Sequence, residues 1–305
     1  MLYNFGELTD CKPEKTKFIV PLNWSEQFIN FVLEHSNCIK TIYGSLPNRP
    51  GGRPIPHTDI PSHQVPNLER LEALVETLRN KGIDFNLIMN ATCTGNVYFS
   101  KAGKESLEME IKTISDLGIN KITVANLDLA RRINFINPKI EIILSVIFNI
   151  TELDQLFYLK CQDFNLKGLV IGKGLNRNFS KLANFIKKAG TIELTLVVND
   201  FCPSVNCPIR ISDHNNTCAH YKDSQPYMPP SLNCRKILME NPFMYLSAPV
   251  VNPNQLLIYE DIGINSFKIT DRTMPDYQLI NVCKAYFNRR FEGNYFRLFS
   301  YTSHH

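Results

Sequence analysis

The stretch IEIILSVIFNITELDQLFYLKCQDFNLKGLVIGKGLNRNFSKLANFIKKAGTIELTLVV, Ile140 to Val198, decides the architecture. Three short β-branched runs within it, Ile140–Leu144, Gly168–Ile171 and Leu194–Val198, have strand length and are bounded by polar turns. Between them, Leu153–Lys160 and Phe179–Lys188 carry apolar residues at helical spacing. Strand, helix and strand in succession require a parallel pair joined by a right-handed crossover.

The alternation continues outward from this stretch. Upstream runs are Phe18–Leu22, Ile39–Tyr43, Phe85–Met89 and Ile122–Ala125, and Phe267–Thr270 follows downstream. Further helix patterns cover Ser25–Glu34, Leu68–Asn80, Lys104–Leu117, Gln255–Ile262 and Asp276–Arg290. Eight such units in 305 residues predict one α/β domain, a single (β/α)8 TIM-type barrel over residues 1–302. A doubly wound sheet would need a phosphate-binding glycine fingerprint after its first strand, and neither GxGxxG nor GxxxxGK[ST] occurs. Gly172-Lys173-Gly174 reads as a strand-ending turn.

Charge and hydropathy exclude several classes. With 33 basic and 29 acidic residues the net charge is +4, without the dense Lys/Arg block that announces nucleic-acid binding. Met1–Lys17 has mixed charge and no apolar core of a signal peptide, and no run is long enough to span a bilayer, so a cytoplasmic protein is expected. Ser303-His304-His305 reads as the start of a purification tag.

Two strand-end loops are far longer than the usual two to six or so residues, which marks them as functional. Gly44–Asn67 is rich in Pro and Gly and carries Arg49, Arg53, His57, Asp59 and His63. The second, residues 199–252, carries Cys202, Cys207, Cys218 and Cys234 in surroundings too polar for the thiols merely to pack. The chain has nine cysteines, and in a reducing compartment a cluster of them is a metal or catalytic set before it is a disulfide framework. No C-x2-C knuckle of the structural zinc type is present, whereas Cys202 and Cys207 are each followed by proline, as in ferredoxin-type loops. The chemistry therefore favours an iron–sulfur cluster, with zinc as the alternative.

The strand-two end IYGSLP, the segments VVNDFC, CPIR and HNNTC, and the block YEDIGINSFKITDR, Tyr259–Arg272, resemble the collagenase-like peptidase family U-thirty-two over nearly the whole chain. That family groups supposed proteases with oxygen-independent hydroxylases of ubiquinone precursors, tRNA and ribosomal RNA. The resemblance implies a barrel holding a 4Fe-4S cluster on Cys202, Cys207, Cys218 and Cys234. It also implies a short-form hydroxylase of a small, aromatic or quinone-like substrate, with prephenate as a possible oxygen donor. A paralogous subunit as heterodimer partner belongs to the same expectation; RNA is not favoured. The peptidase signature has six residues between its first two cysteines where this chain has four, so proteolysis stands as the alternative, beside a non-catalytic cluster-bearing partner.

Other candidate site residues follow from position. Asn199, Arg210 and His214 are expected at the barrel mouth, with His214 as an acid or base. Asn90, Asn126 and Lys268 stand at strand ends, where barrel enzymes place catalytic groups; for Asn126 capping of the next helix is the competing role. Lys268 and Arg272 form a possible anion site that Arg53 and His57 approach if the two long loops face each other. For hydrolysis, Cys93 paired with a strand-two-loop histidine is the best nucleophile–base candidate, without any local signature.

Overall fold

The computed structural model describes residues 16–46, 67–92, 94, 97–200, 202, 236–272, 274–294 and 298. Eight parallel strands close into a barrel in chain order, as the alternation predicts. They are β1 (Lys17–Pro21), β2 (Ile39–Gly44), β3 (Asp84–Met89), β4 (Lys121–Val124), β5 (Glu141–Leu144), β6 (Leu166–Val170), β7 (Glu193–Val197) and β8 (Ser266–Lys268). The surrounding helices are α1 (Glu26–Glu34), α2 (Leu68–Asn80), α3 (Lys101–Asp116), α4 (Leu127–Ile136), α5 (Leu153–Lys160), α6 (Phe179–Ala189), α7 (Leu256–Asp261) and α8 (Asp276–Phe287).

Short polar residues start these helices. Ser25, Asn67, Ser100, Asn126 and Asn178 each accept a backbone N–H from three residues ahead, which satisfies a donor that the first turn leaves unpaired. Helix α4, not among the helix patterns read from the sequence, buries Leu129, Ala130 and Ile133, with Leu127 and Ile136 packed partly buried beside them, while its Phe135 is 87% exposed. The seam between β8 and β1 is covered by α8, whose Phe287 packs on Phe18 with ring centroids 4.9 Å apart.

Apolar residues on the outer strand faces, such as Phe18, Ile42, Leu87, Val124 and Leu196, join one continuous core with the helices. The lumen is different in kind. Its N-terminal end holds charges, with Lys40 of β2 paired to Glu193 of β7 and Lys121 of β4 paired to Asp84 and Glu141. Strands β2 and β7 are not neighbours, so the Lys40–Glu193 pair spans the barrel. Above it Asn86 bonds Thr123 at 2.9 Å and Thr195 meets Ser266 at 2.9 Å. Only then comes a small apolar layer of Ile19, Tyr43 and Ile88.

Burial alone would raise the Glu193 carboxyl, but the charge and hydrogen bond of Lys40, helped by Ser266 and Lys121, hold it below the usual carboxylate value. A depressed folded value means that this contribution is present above the unfolded carboxylate value of about 4 and is lost as pH falls through the folded one. Glu193→Gln should lower stability at neutral pH by about 1 kcal/mol, a modest figure because the pair is partly solvated, and should flatten the acid limb of stability. Urea unfolding across pH 3–7 checks this; an unchanged acid limb would exclude Glu193 as its source.

Candidate functional site

In barrels of this type the strand C-termini and the loops beyond them form the active face. Five of the expected site residues, Arg53, His57 and His214 among them together with Arg49 and Arg210, lie outside the described residues, as do Cys93, Cys207, Cys218 and Cys234. The expectation that the two long loops face each other rests on those same segments. Cys202 is described; it is a half-buried thiol just past β7. Among the described residues, no group of three or more His, Cys, Asp or Glu is arranged to hold a metal. Cys38, at the entrance to β2, is disulfide-bonded, which departs from the expectation of reduced thiols throughout; compartment was inferred from composition, whereas a bridge depends on which cysteines the fold brings together.

The long insertion after β7 leaves and re-enters the barrel through a closed neck. Val251 N donates to Val198 O at 2.9 Å, and the Tyr286 hydroxyl of α8 lies 3.1 Å from Val198 O and 2.8 Å from Val251 O. On the other side Asn176, fully buried, donates its amide to Val197 O at 2.9 Å and to Pro249 O at 2.7 Å. The Tyr259 hydroxyl in turn donates to Asn176 O at 2.6 Å. Asn199, expected to reach the mouth, is instead a clamp between strand ends. Its oxygen accepts the Thr270 N–H at 2.7 Å while its amide donates to Thr270 O at 3.0 Å.

Asp200 connects this neck to Cys202. One carboxylate oxygen accepts Cys202 N at 2.9 Å, and the other lies 2.5 Å from the ammonium of Lys173, whose side chain is only 2% exposed. Lys173 is placed by Gly172, where a Cβ would meet Thr151 Cγ2 at 2.5 Å and Asn149 Oδ1 at 2.8 Å, so only glycine allows that approach. The Gly-Lys-Gly turn thus carries a buried cation that the reading of it as a bare turn missed. A lysine three residues beyond a strand C-terminus was the available signal.

Next to this, β8 supplies Lys268 and, after it, Arg272. The Lys268 ammonium sits 3.9 Å from the centroid of the Tyr43 ring, and Tyr43 is held by its hydroxyl donating to Ile269 O at 3.2 Å. Lys268 is flanked in the sheet by Ile19 and Val197. Burial in this apolar setting, reinforced by the nearby Arg272 charge, pushes its pKa down to about 7. Burial likewise raises the Tyr43 phenol, with Arg272 opposing. Asp271 takes a left-handed φ of 84°, costly for a non-glycine residue, and Arg272 beyond it donates to Ser45 Oγ of the strand-two end at 2.6 Å. Lys268 and Arg272 therefore do share the mouth, together with Tyr43 and Ser45, which sequence reasoning did not single out.

Two strand-end candidates remain. Asn126 is engaged as the α4 cap, its oxygen accepting Leu129 N at 3.1 Å. Asn90 lies half-buried one residue past β3. A groove of about 550 Å³ on the outer face, between Phe99, Leu107, Arg132 and Phe135 of the α3–α4 region, draws on no strand C-terminus and is separate from this mouth.

Known proteins share this frame. No family model matches the chain. It is 23% identical over 242 residues to the uncharacterized protease MJ1657 of Methanocaldococcus jannaschii, covering 76% of this chain and 69% of that one. Among solved structures it superposes on the U32 peptidase Mk0906 with a TM-score of 0.59 at 17% identity, covering 87% of this chain and 96% of that one. The structural likeness establishes the barrel fold. Among the described residues no helix is long and apolar enough to cross a membrane.

The neck gives a measurable consequence. Asn176→Ala removes two buried amide bonds and should cost about 2–3 kcal/mol, whereas Tyr286→Phe, losing one hydroxyl, should cost about 1 kcal/mol. Denaturant unfolding measures both; equal and negligible losses would show that the insertion is not anchored here.

Proposed function

We propose that the protein is an oxygen-independent hydroxylase, or a subunit of one, that works in the cytoplasm with a 4Fe-4S cluster held by Cys202, Cys207, Cys218 and Cys234. The observation that carries the reading is the junction of β7 and β8. It sets Cys202, anchored through Asp200 on buried Lys173, beside a strand end that bears Lys268 and Arg272. Cys202 fits the role because it is a partly accessible thiol, and four thiolates are a ligand set for such a cluster. When bound, the cluster supplies one-electron redox chemistry. The chain's own residues bind and orient: Arg272 receives an anionic group of the substrate or of an oxygen donor such as prephenate. The ring of Tyr43 walls the site, and the polar lumen beneath is closed by its own pairs, so reactants enter from the mouth. A small aromatic or quinone-like substrate and a paralogous protein partner complete the proposal.

Anaerobically purified protein is expected to be brown and to contain about four iron and four sulfide per chain. Cys202→Ala should lose or destabilise that content, while Cys161→Ala, an exposed thiol of the α5 end, should leave it unchanged. Stoichiometric zinc without sulfide would overturn the cluster assignment. Arg272→Ala should weaken prephenate binding about tenfold or more, read by calorimetry, with iron content unaffected.

The names of the two similar proteins favour a second reading, peptidase, for which casein hydrolysis abolished by Cys93→Ser would be decisive.

A further inference from the structure

The cations of the mouth are not equivalent. Arg272 keeps its charge at any accessible pH and is oriented by its hydrogen bond to Ser45. Lys268 lies against the face of Tyr43, between Ile19 and Val197, and among the described residues no carboxylate pairs with its ammonium. It nevertheless remains partly open to solvent at the C-terminal end of a barrel strand. A lysine that is desolvated by apolar neighbours and set beside a second cation is the arrangement that turns an ammonium into a nucleophilic amine. Among the described residues, the groups acting on the Lys268–Tyr43 pair are Arg272 and Asp271 after β8 and Cys283 of α8, and of these only Arg272 bears on Lys268 itself.

We propose that Lys268 is a nucleophilic amine that condenses with a small 2-oxo acid, whose carboxylate Arg272 receives. The Nζ lone pair attacks the carbonyl carbon and forms the C–N bond. The carbonyl oxygen takes up one proton that the nitrogen sheds, giving a carbinolamine, and the nitrogen's second proton then leaves with that hydroxyl as water, so that a C=N bond remains. No electron is gained or lost, so neither oxidant nor reductant is consumed. The site goes beyond the hydroxylase reading and needs no cluster. The depressed pKa supports it: near pH 7 about half of Lys268 is free amine, against roughly one in a few thousand for an ordinary lysine.

The test uses the full chain with pyruvate and cyanoborohydride, which delivers hydride to the imine carbon and makes the adduct permanent. Peptide mapping by mass spectrometry then compares Lys268 with Lys101, whose side chain is 92% exposed. Labelling of Lys268 is expected to be about a thousandfold faster than that of Lys101 at pH 7 and half-maximal near that pH, a contrast that disappears in denaturant. Acetone, a carbonyl without a carboxylate, should label Lys268 more slowly than pyruvate. Arg272→Ala should reduce that preference about tenfold while acetone labelling, which reports an intact site, persists. Lys101 reacting as fast as Lys268 would overturn the nucleophile, and equal labelling by pyruvate and acetone in the unaltered protein would overturn the 2-oxo acid assignment.

Discussion

Val198 N donates to Lys268 O at 3.1 Å, and one residue on, Asn199 and Thr270 exchange hydrogen bonds through the asparagine side chain. Strand β8 has only three residues, so its pairing with β7 rests on few backbone bonds, and these junction contacts extend it beyond the regular ladder. Barrel closure, the start of the cysteine-bearing insertion and the position of Lys268 all depend on this one seam. The same seam sets the chemistry of the mouth, because Lys268 reaches Tyr43 only if β8 lies in register with Ile19 on one side and Val197 on the other.

Beneath the mouth the barrel is filled in an order that follows solvation. Charges occupy the N-terminal end, where Lys40 and Glu193 retain access to water and to each other. Neutral hydrogen-bonded pairs come next, Asn86 with Thr123 and Thr195 with Ser266, and each satisfies a group that would otherwise be buried without a partner. The thin apolar layer of Ile19, Tyr43 and Ile88 then separates this polar interior from Lys268. That layer is what makes Lys268 unusual: its charge is desolvated from below and repelled by Arg272 beside it. Lys173 shows the opposite solution. It is buried more deeply, yet Asp200 at 2.5 Å gives its charge a partner, and the pair serves to hold Cys202.

The barrel itself was legible because eight β-branched runs and the amphipathic segments between them have two distinct periods, and only parallel crossovers join such units. Helix starts were legible for the same local reason, since Ser25 or Asn126 bonds a backbone group three residues away. The cysteine set stood out by spacing and by polar surroundings. The Lys268–Arg272 pairing was readable from their separation by four residues around a strand end, though not which group would face them. Tyr43 and Ser45 come from a strand more than two hundred residues earlier, and no local pattern links them to β8. Asn199 looked like a mouth residue and proved to be a clamp because its partner, Thr270, is 71 residues away.

The sequence by itself determined the order of the strands and of the helices other than α4, together with the caps, all of which are settled by neighbours within a few residues. Only the tertiary structure decided which lysine is paired and which is left to an aromatic face. Both stand at or just past a strand C-terminus, and local sequence does not distinguish Lys173 from Lys268. The difference is that closure of the barrel brings a carboxylate to one and a phenol ring and a guanidinium to the other. A charge's free energy depends on everything within several ångströms of it, and in a closed barrel those neighbours come from strands far apart in the chain.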